Sequence, residues 1–460
     1  MAKSKDTVDI PSLGYVEMSR RWALIHDLLG GTLTMRAASE TWLKREKRES
    51  RDSYDARLSR SILFNKFRDT IEKVGEKPFS QPVKMMGEAP EKLEVLEFNV
   101  DRTGKSLTTF AKEMLNSAVT YGLTHVLVDF PQMPEGLTKE AEEQFAAQPV
   151  FIHVKPPNLI GWRTERMLNG HEKLIQIRIL ETVTVQEGNY TEVAEKRIRV
   201  YNEHTWELWA QDKKTQEFSL VDEGTHSFNG VPLVTFYTNR DSYMMATPPL
   251  EDLSWMNLNH WQSSSDHKNI LRFARLGILF ISGLSEEEAK GVQVGPQSVV
   301  ATTNPEADMK YVEHKGDAIN IGRTDLLDIE EKMEIASLRP MMKKTGSQTA
   351  TARALDTAES HSSIHSWVNS LELALLECYK LAAEWTGEEL PDDFKADIYS
   401  DFGLSMRASQ DIEALIKMRA AGEIRRETFL SEMKRRDVLN ETLDVEQEAE
   451  DAGSELTLVG

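Results

Sequence analysis

A single cysteine, Cys378, stands among 460 residues. One thiol closes no disulfide within a chain, so a disulfide framework is excluded. Long apolar runs are missing too. No stretch of about 18 uninterrupted apolar residues occurs, so no transmembrane helix is expected. The opening Met1-Ala2-Lys3-Ser4-Lys5-Asp6 leads through Thr7-Val8-Asp9-Ile10 to Pro11 without an apolar signal region. The expectation is synthesis in a cytoplasm, and residence there or in a particle assembled there. Basic charge is short: 55 Lys and Arg face 75 Asp and Glu, a formal net charge of −20. A protein that grips phosphates normally reads basic, so any meeting with DNA is local or built not to hold.

What is present suffices for a core, with a hydrophobic fraction of 40%. The length exceeds what one core usually supports, so two or more regions are expected. Residues 20–73 read as helical and rich in Arg and Lys, most densely at Lys44-Arg45-Glu46-Lys47-Arg48. Interleaved acids make a solvated helical face the simpler reading, with a DNA patch as its rival. After a Pro- and Gly-rich loop, Leu107, Phe110, Met114, Ala118 and Tyr121 keep helical spacing to Gly122, and His125–Pro131 reads as a short buried strand. From Phe151 to Tyr237 the period falls to two, with turn residues at hairpin distances, which reads as antiparallel β structure.

Pro248-Pro249 opens a helix to about Arg275. A compact segment follows, with strands at Ile278–Ile281 and Ser298–Ala301 and a small acidic helix at Ser285–Lys290. A further helix runs from Thr324 to Leu338 and stops before Pro340. The longest helix spans Thr349–Trp385, with a stripe through Ala354, Ala358, His361, His365, Val368, Leu371, Leu375, Cys378, Ala382 and Trp385. A short strand near Ile398 and two small helices split at Ala421-Gly422 come last. Glu446-Gln447-Glu448-Ala449-Glu450-Asp451 reads as a solvated tail. Two helices bracketing a small insert describe a stalk with a tip. A stalk of that length buries little alone and is expected to pack against copies of itself.

No catalytic constellation emerges. Gly104-Lys105-Ser106 ends like a phosphate-binding loop, but Asn99 stands where its first glycine is required, and Ser106 serves better as a helix N-cap. His361 and His365 are one turn apart, yet Ser362 replaces the glutamate of a zinc-protease motif and no third ligand is near. His260, Asp266 and His267 on one helix read as a polar face, not a pocket. Cys378 lies on an apolar stripe. Neither cofactor nor metal is expected.

Five collinear segments resemble a group of bacteriophage portal proteins otherwise described only as a domain of unknown function. They are Gly122–Pro131 (GLTHVLVDFP), Pro248–His267 (PPLEDLSWMNLNHWQSSSDH), Tyr311–Ile319 (YVEHKGDAI), Thr349–Ala358 (TATARALDTA) and Gly422–Leu430 (GEIRRETFL). The second is the most specific. Trp261 departs from the pattern, where a Tyr is expected, and keeps the aromatic.

The resemblance implies an α+β portal fold. Its α/β wing would span residues 1–248, the stem helices 249–275 and 324–340, and a small α/β clip 276–323. A tunnel loop at 341–348, a long helix with return strand at 349–400 and a helical crown with acidic tail at 401–460 would complete it. It implies a non-enzymatic, twelve-fold ring at one capsid vertex of the virion. Double-stranded DNA would pass through without sequence readout. The terminase large subunit would dock first and a head-completion or tail adaptor later, beside the major capsid and scaffolding proteins, with no membrane partner. Candidate channel-lining acids on the second stem helix are Asp325, Asp328, Glu330, Glu331 and Glu334. Arg339, Lys343, Lys344, Gly346 and Ser347 would form the tunnel loop, and Glu286, Glu287 and Glu288 the docking face of the clip. The rival readings are a packaging-associated nucleic-acid enzyme and a cytoplasmic oligomeric scaffold.

Overall fold

The computed structural model describes residues 6–129, 148–226, 228, 230–276, 278–283, 304–312, 317–337, 350–400, 415–435 and 439. The clip residues Glu286, Glu287 and Glu288 and the tunnel-loop residues Arg339, Lys343, Lys344, Gly346 and Ser347 lie outside them. So do the expected strand at Ser298–Ala301, the helix at Ser285–Lys290 and the acidic tail.

Along the chain come α1 (Leu13–Leu29), α2 (Gly31–Ala38), α3 (Arg51–Arg60), α4 (Lys66–Glu76), β1 (Lys84–Met86), α5 (Glu91–Glu94) and α6 (Leu107–Tyr121). Ten strands follow: β2 (Leu123–Asp129), β3 (Val150–Val154), β4 (Leu159–Arg166), β5 (Glu172–Glu187), β6 (Thr191–Asn202), β7 (Thr205–Gln211), β8 (Phe218–Thr225), β9 (Leu233–Tyr237), β10 (Arg240–Ser242) and β11 (Met245–Ala246). Then come α7 (Glu251–Leu276), β12 (Ile278–Ser282), β13 (Asp308–Val312), α8 (Asp317–Ala336), α9 (Ala350–Thr386), β14 (Lys395–Asp397) and α10 (Arg426–Arg435). Every described strand pairing is antiparallel, and helix and sheet are both abundant, which makes the chain α+β.

The chain divides into two compact units: Met1–Ser12, Glu72–Ala246 and Pro340–Gly460 form one, Leu13–Ile71 and Thr247–Arg339 the other. In the first, α6 starts at Ser106, whose hydroxyl accepts from the Thr109 amide at 3.3 Å, and ends at Gly122 with φ 90°. That left-handed turn suits glycine and aims the chain into β2. Six of the seven β2 residues are buried, as expected of a central strand covered on both faces. It sits between β3 and β9 and packs on α6 and α9. The rings of Phe110, Phe151, Tyr379 and Phe394 join α6, β3, α9 and the approach to β14 in one aromatic chain. The strands β4 to β8 form a five-stranded meander, and Ile177, Ile179 and Tyr201 from it share a core with Leu127 and Val154.

Two readings are corrected. The helix expected from Thr324 starts at Asp317, seven residues earlier, because Gly322 is accommodated inside it as a close-approach position and not a break. A Cβ there would meet His267 Nδ1 at 2.7 Å. On α9 the buried stripe runs through Ile364, Trp367, Val368, Leu371, Leu375, Cys378 and Ala382, while His365 is exposed. The expected run Val368–Ala382 is buried, but packing before it shifts the stripe by one residue.

His125 and His153 lie on adjacent strands, His125 Nδ1 facing Thr235 Oγ1 at 3.0 Å and His153 Nε2 facing Thr124 Oγ1 at 2.8 Å. Burial pushes His125 down to about 3, helped by His153 nearby. Burial also lowers His153, to about 4, against the opposing pull of Glu113. Both values lie below the ordinary 6.5, so the folded unit binds fewer protons than the unfolded chain. The stability they contribute is present above about pH 6.5 and is lost as pH falls toward 4, at about 3 kcal/mol per histidine. Calorimetric melting between pH 7.5 and 4.5 should show that fall, and His153→Gln should flatten it. An unchanged slope in the variant would contradict this origin.

Candidate functional site, a helix pair with a buried polar seam

The second unit is organised by α7. Glu251 and Asp252 in its first turn complement the helix dipole. Leu253, Leu258 and Trp261 supply the apolar contact, and Trp261 is fully buried. The polar residues between them are not a solvated face. Asn257 is buried, donates to the Phe64 carbonyl at 2.9 Å and accepts from the Phe67 amide at 2.9 Å. One side chain thus satisfies both backbone groups where α4 begins, which leaving them bare in a core would penalise. His260, also buried, sets its ring 5.4 Å from Phe64 and its Nε2 3.1 Å from Glu330 Oε1 on α8. Ser265 pairs with Ser61 at 2.8 Å. Gln262 donates to the Trp42 carbonyl.

Asp266 accepts from Arg57 Nη1 at 3.3 Å. Arg57 is the hub of this side of the helix: its side chain is 5% exposed and makes a two-point contact with Glu49 at 2.9 and 2.8 Å. It also donates to the Lys44 carbonyl at 2.9 Å. Its hydrogen bond to Glu49 holds the carboxyl below its usual range and raises the guanidinium in turn. Tyr54 adds a hydrogen bond to the Leu43 carbonyl at 2.9 Å. Residues 44–49 therefore form a loop gripped at both ends, not the helical face expected of the Lys44–Arg48 run. Helix α3 begins only after it, at Ser50, whose hydroxyl accepts from the Ser53 amide at 3.2 Å. That N-cap was a visible signal; Arg57, two turns on, carries no local mark of its role.

The three polar residues expected on one face are thus dispersed, His260 and His267 toward α8 and Asp266 toward α3. The five acids of α8 are dispersed as well. At about 100° per residue, Asp328 and Glu331 fall opposite the buried Ile329 and Met333, while Asp325 and Glu334 fall on the two borders. Glu330 turns inward to His260. A single surface cannot hold all five.

The phosphate-loop candidate closes on itself. Lys105 is occupied by Glu113 at 3.0 Å and Asp101 at 3.6 Å, and Asn99 accepts from the Gly104 amide, closing the loop on itself. Burial pushes the Cys378 thiol up, out of the reactive range. A groove of about 1000 Å³ in the first unit lies beside the segment Asp6–Pro11, where Arg178 Nη1 holds the Val8 and Ile10 carbonyls. Among the described residues no group of three His, Cys, Asp or Glu is placed to hold a metal ion. No described helix is long and apolar enough to cross a membrane.

A family described as a domain of unknown function, DUF4055, matches residues 249–386. No curated protein matches the chain. Among solved structures, a chain of the virion of a native gene transfer agent particle superposes with a TM-score of 0.45 at 10% identity, covering 85% of this chain and 96% of the other. A chain from the neck of the empty particle, computed with C6 symmetry, gives 0.45 at 11% over 86% and 96%. One from the neck of the native particle, computed with C12 symmetry, gives 0.44 at 11% over 86% and 97%. Likeness at this level transfers no function.

The seam makes a direct prediction. Arg57→Ala leaves the half-buried Glu49 and the Lys44 carbonyl without their partner and should destabilise the second unit by about 2 kcal/mol. Trypsin should then cut between residues 44 and 49 faster than in the wild type. Unchanged melting and cleavage would show that the loop is held by something else.

Proposed function

We propose that this chain is one subunit of a phage portal, a ring at a capsid vertex through which double-stranded DNA is packaged and later ejected. One observation carries the reading. The family match opens at residue 249, two residues before α7, and closes at 386, the last residue of α9. Helix, two-stranded ribbon, helix and long helix are thus matched as one block, and of the five segments that resemble portal proteins two fall inside it and a third does so except for Pro248. In this reading α7 and α8 are the stem, the segment bearing β12 and β13 is the clip, and α9 crosses back to the wing.

The charge fits a conduit better than a clamp. Twelve copies of −20 give a ring of about −240. A basic channel would hold duplex DNA through counterion release, whereas an acidic one lets it slide. Asp328 and Glu331 lie on the outward arc of α8 and Asp325 and Glu334 on its borders, so only part of the set would face a channel. Lys343 and Lys344 would supply a local basic collar at the tunnel loop, a brake against backward slipping. Energy comes from a separate packaging ATPase, docked through Glu286, Glu287 and Glu288, and the portal itself is not an enzyme. A head-completion adaptor would take the same face afterwards, while the wing meets capsid and scaffolding proteins.

Mass photometry of the purified protein tests the reading. It should find a species of about a dozen copies that survives Lys343→Ala with Lys344→Ala, while genomes packaged by that variant at low ionic strength are shorter. Single copies at every concentration would sink the proposal, and full-length, stably held genomes in the variant would remove the brake.

A further inference from the structure

The two exposed flanks of the helix pair differ in charge, and they lie on opposite sides of α7. Gln262, Ser265 and Asp266 reach the α3 side, with its anchored loop 44–49. His260 and His267 reach α8. At about 100° per residue the two sets are separated by about 150° around the helix.

On the α3 side, Lys44, Arg45, Lys47 and Arg48 are all exposed, and among the described residues none of the four pairs with a carboxylate. Arg45 spends its one recorded bond on the Glu49 carbonyl at 3.2 Å. The loop backbone is fixed from beneath by Arg57 and Tyr54, so these cations are held out at little further loss of chain entropy. Beside them Trp255, 52% exposed, packs edge-on to Trp42 at 6.4 Å. On the far side, the outward arc of α8 holds Ile321, Leu327 and Ile335, at 70%, 53% and 49% exposure, around Asp328 and Glu331. Arg323 and Lys332 lie only at its borders, and neither acid is paired among the described residues.

One flank is basic with an exposed aromatic; the other is acidic with exposed aliphatics. Within one copy α7 stands between them. We infer that they meet between copies: the outward arc of α8, through Asp328 and Glu331, docks against the Lys44–Arg48 loop and Trp255 of the next copy. Such a contact joins two different surfaces and repeats head to tail, the type that closes into a ring. It rests on the portal reading and names the surfaces by which that ring holds together. A second copy fits the apolar components of both flanks, which a DNA backbone would not use.

The test reverses each flank separately. Asp328→Lys with Glu331→Lys makes both flanks basic; Lys44→Glu, Lys47→Glu and Arg48→Glu together make both acidic. Each variant alone should need about tenfold or more higher concentration to assemble than the wild type. An equimolar mixture should assemble again, because each basic flank then finds an acidic one. Circular dichroism melts check that both variants fold. If either does not, the milder Asp328→Asn with Glu331→Gln and Lys47→Gln with Arg48→Gln should each weaken assembly in low salt. Wild-type assembly with reversed or neutralised variants that assemble equally well overturns the contact and leaves the ring standing. So does a mixture of folded variants that stays apart. Loss of duplex DNA binding without loss of assembly in the basic-loop variant would make the loop a DNA contact and overturn it too. A wild type that never assembles overturns the portal reading itself.

Discussion

The second unit depends on polar groups carried into its interior by α7. Inside, Asn257 satisfies the Phe64 carbonyl and the Phe67 amide and His260 fixes Glu330, while the exposed Asp266 helps hold the buried Arg57 from the rim. Apolar packing around Trp261 supplies the bulk of the burial, but it does not by itself select which helices lie against α7 or in what register. Hydrogen bonds with fixed partners do, since each wrong arrangement would leave a buried donor or acceptor empty. The loop at 44–49, the placement of α3 and the outward arc of α8 all follow from that seam.

The segment Pro248–His267 illustrates what the sequence can and cannot say. Its order of Asn, His, Gln, Ser and Asp reads as specific, and the structure gives a physical reason: Asn257, His260, Gln262, Ser265 and Asp266 each reach a partner elsewhere in the unit. Which partner was not legible, because Phe64, Ser61, Arg57 and Trp42 lie some 200 residues away in sequence. Local signals read well. Ser106 and Gly122 bound α6 where the capping rules put them, and the two-residue period from Phe151 to Tyr237 becomes β3 to β9. Where tertiary contact outweighs local preference the reading fails. Gly322 sits mid-helix because His267 needs the space, and the Lys44–Arg48 run is a loop because Arg57 and Glu49 clamp its ends. The portal resemblance makes the five α8 acids candidates for one lining. Steps of three residues move about 60° around a helix, so they wind across it instead.

That winding bears on the portal reading. A helix whose exposed acids cover both a lateral arc and its borders can meet a neighbouring copy and a channel at once. Repulsion toward DNA and attraction between copies would then come from different carboxylates of the same helix. In the portal reading proposed above, the work of packaging would belong to a separate motor.

The central claim is that copies of this chain close around an opening. Electron microscopy of the purified protein, viewed along the symmetry axis, tests it most directly. A portal would appear as an annulus of about a dozen subunits with a central hole that admits duplex DNA. Open filaments, compact closed particles or isolated copies would contradict it.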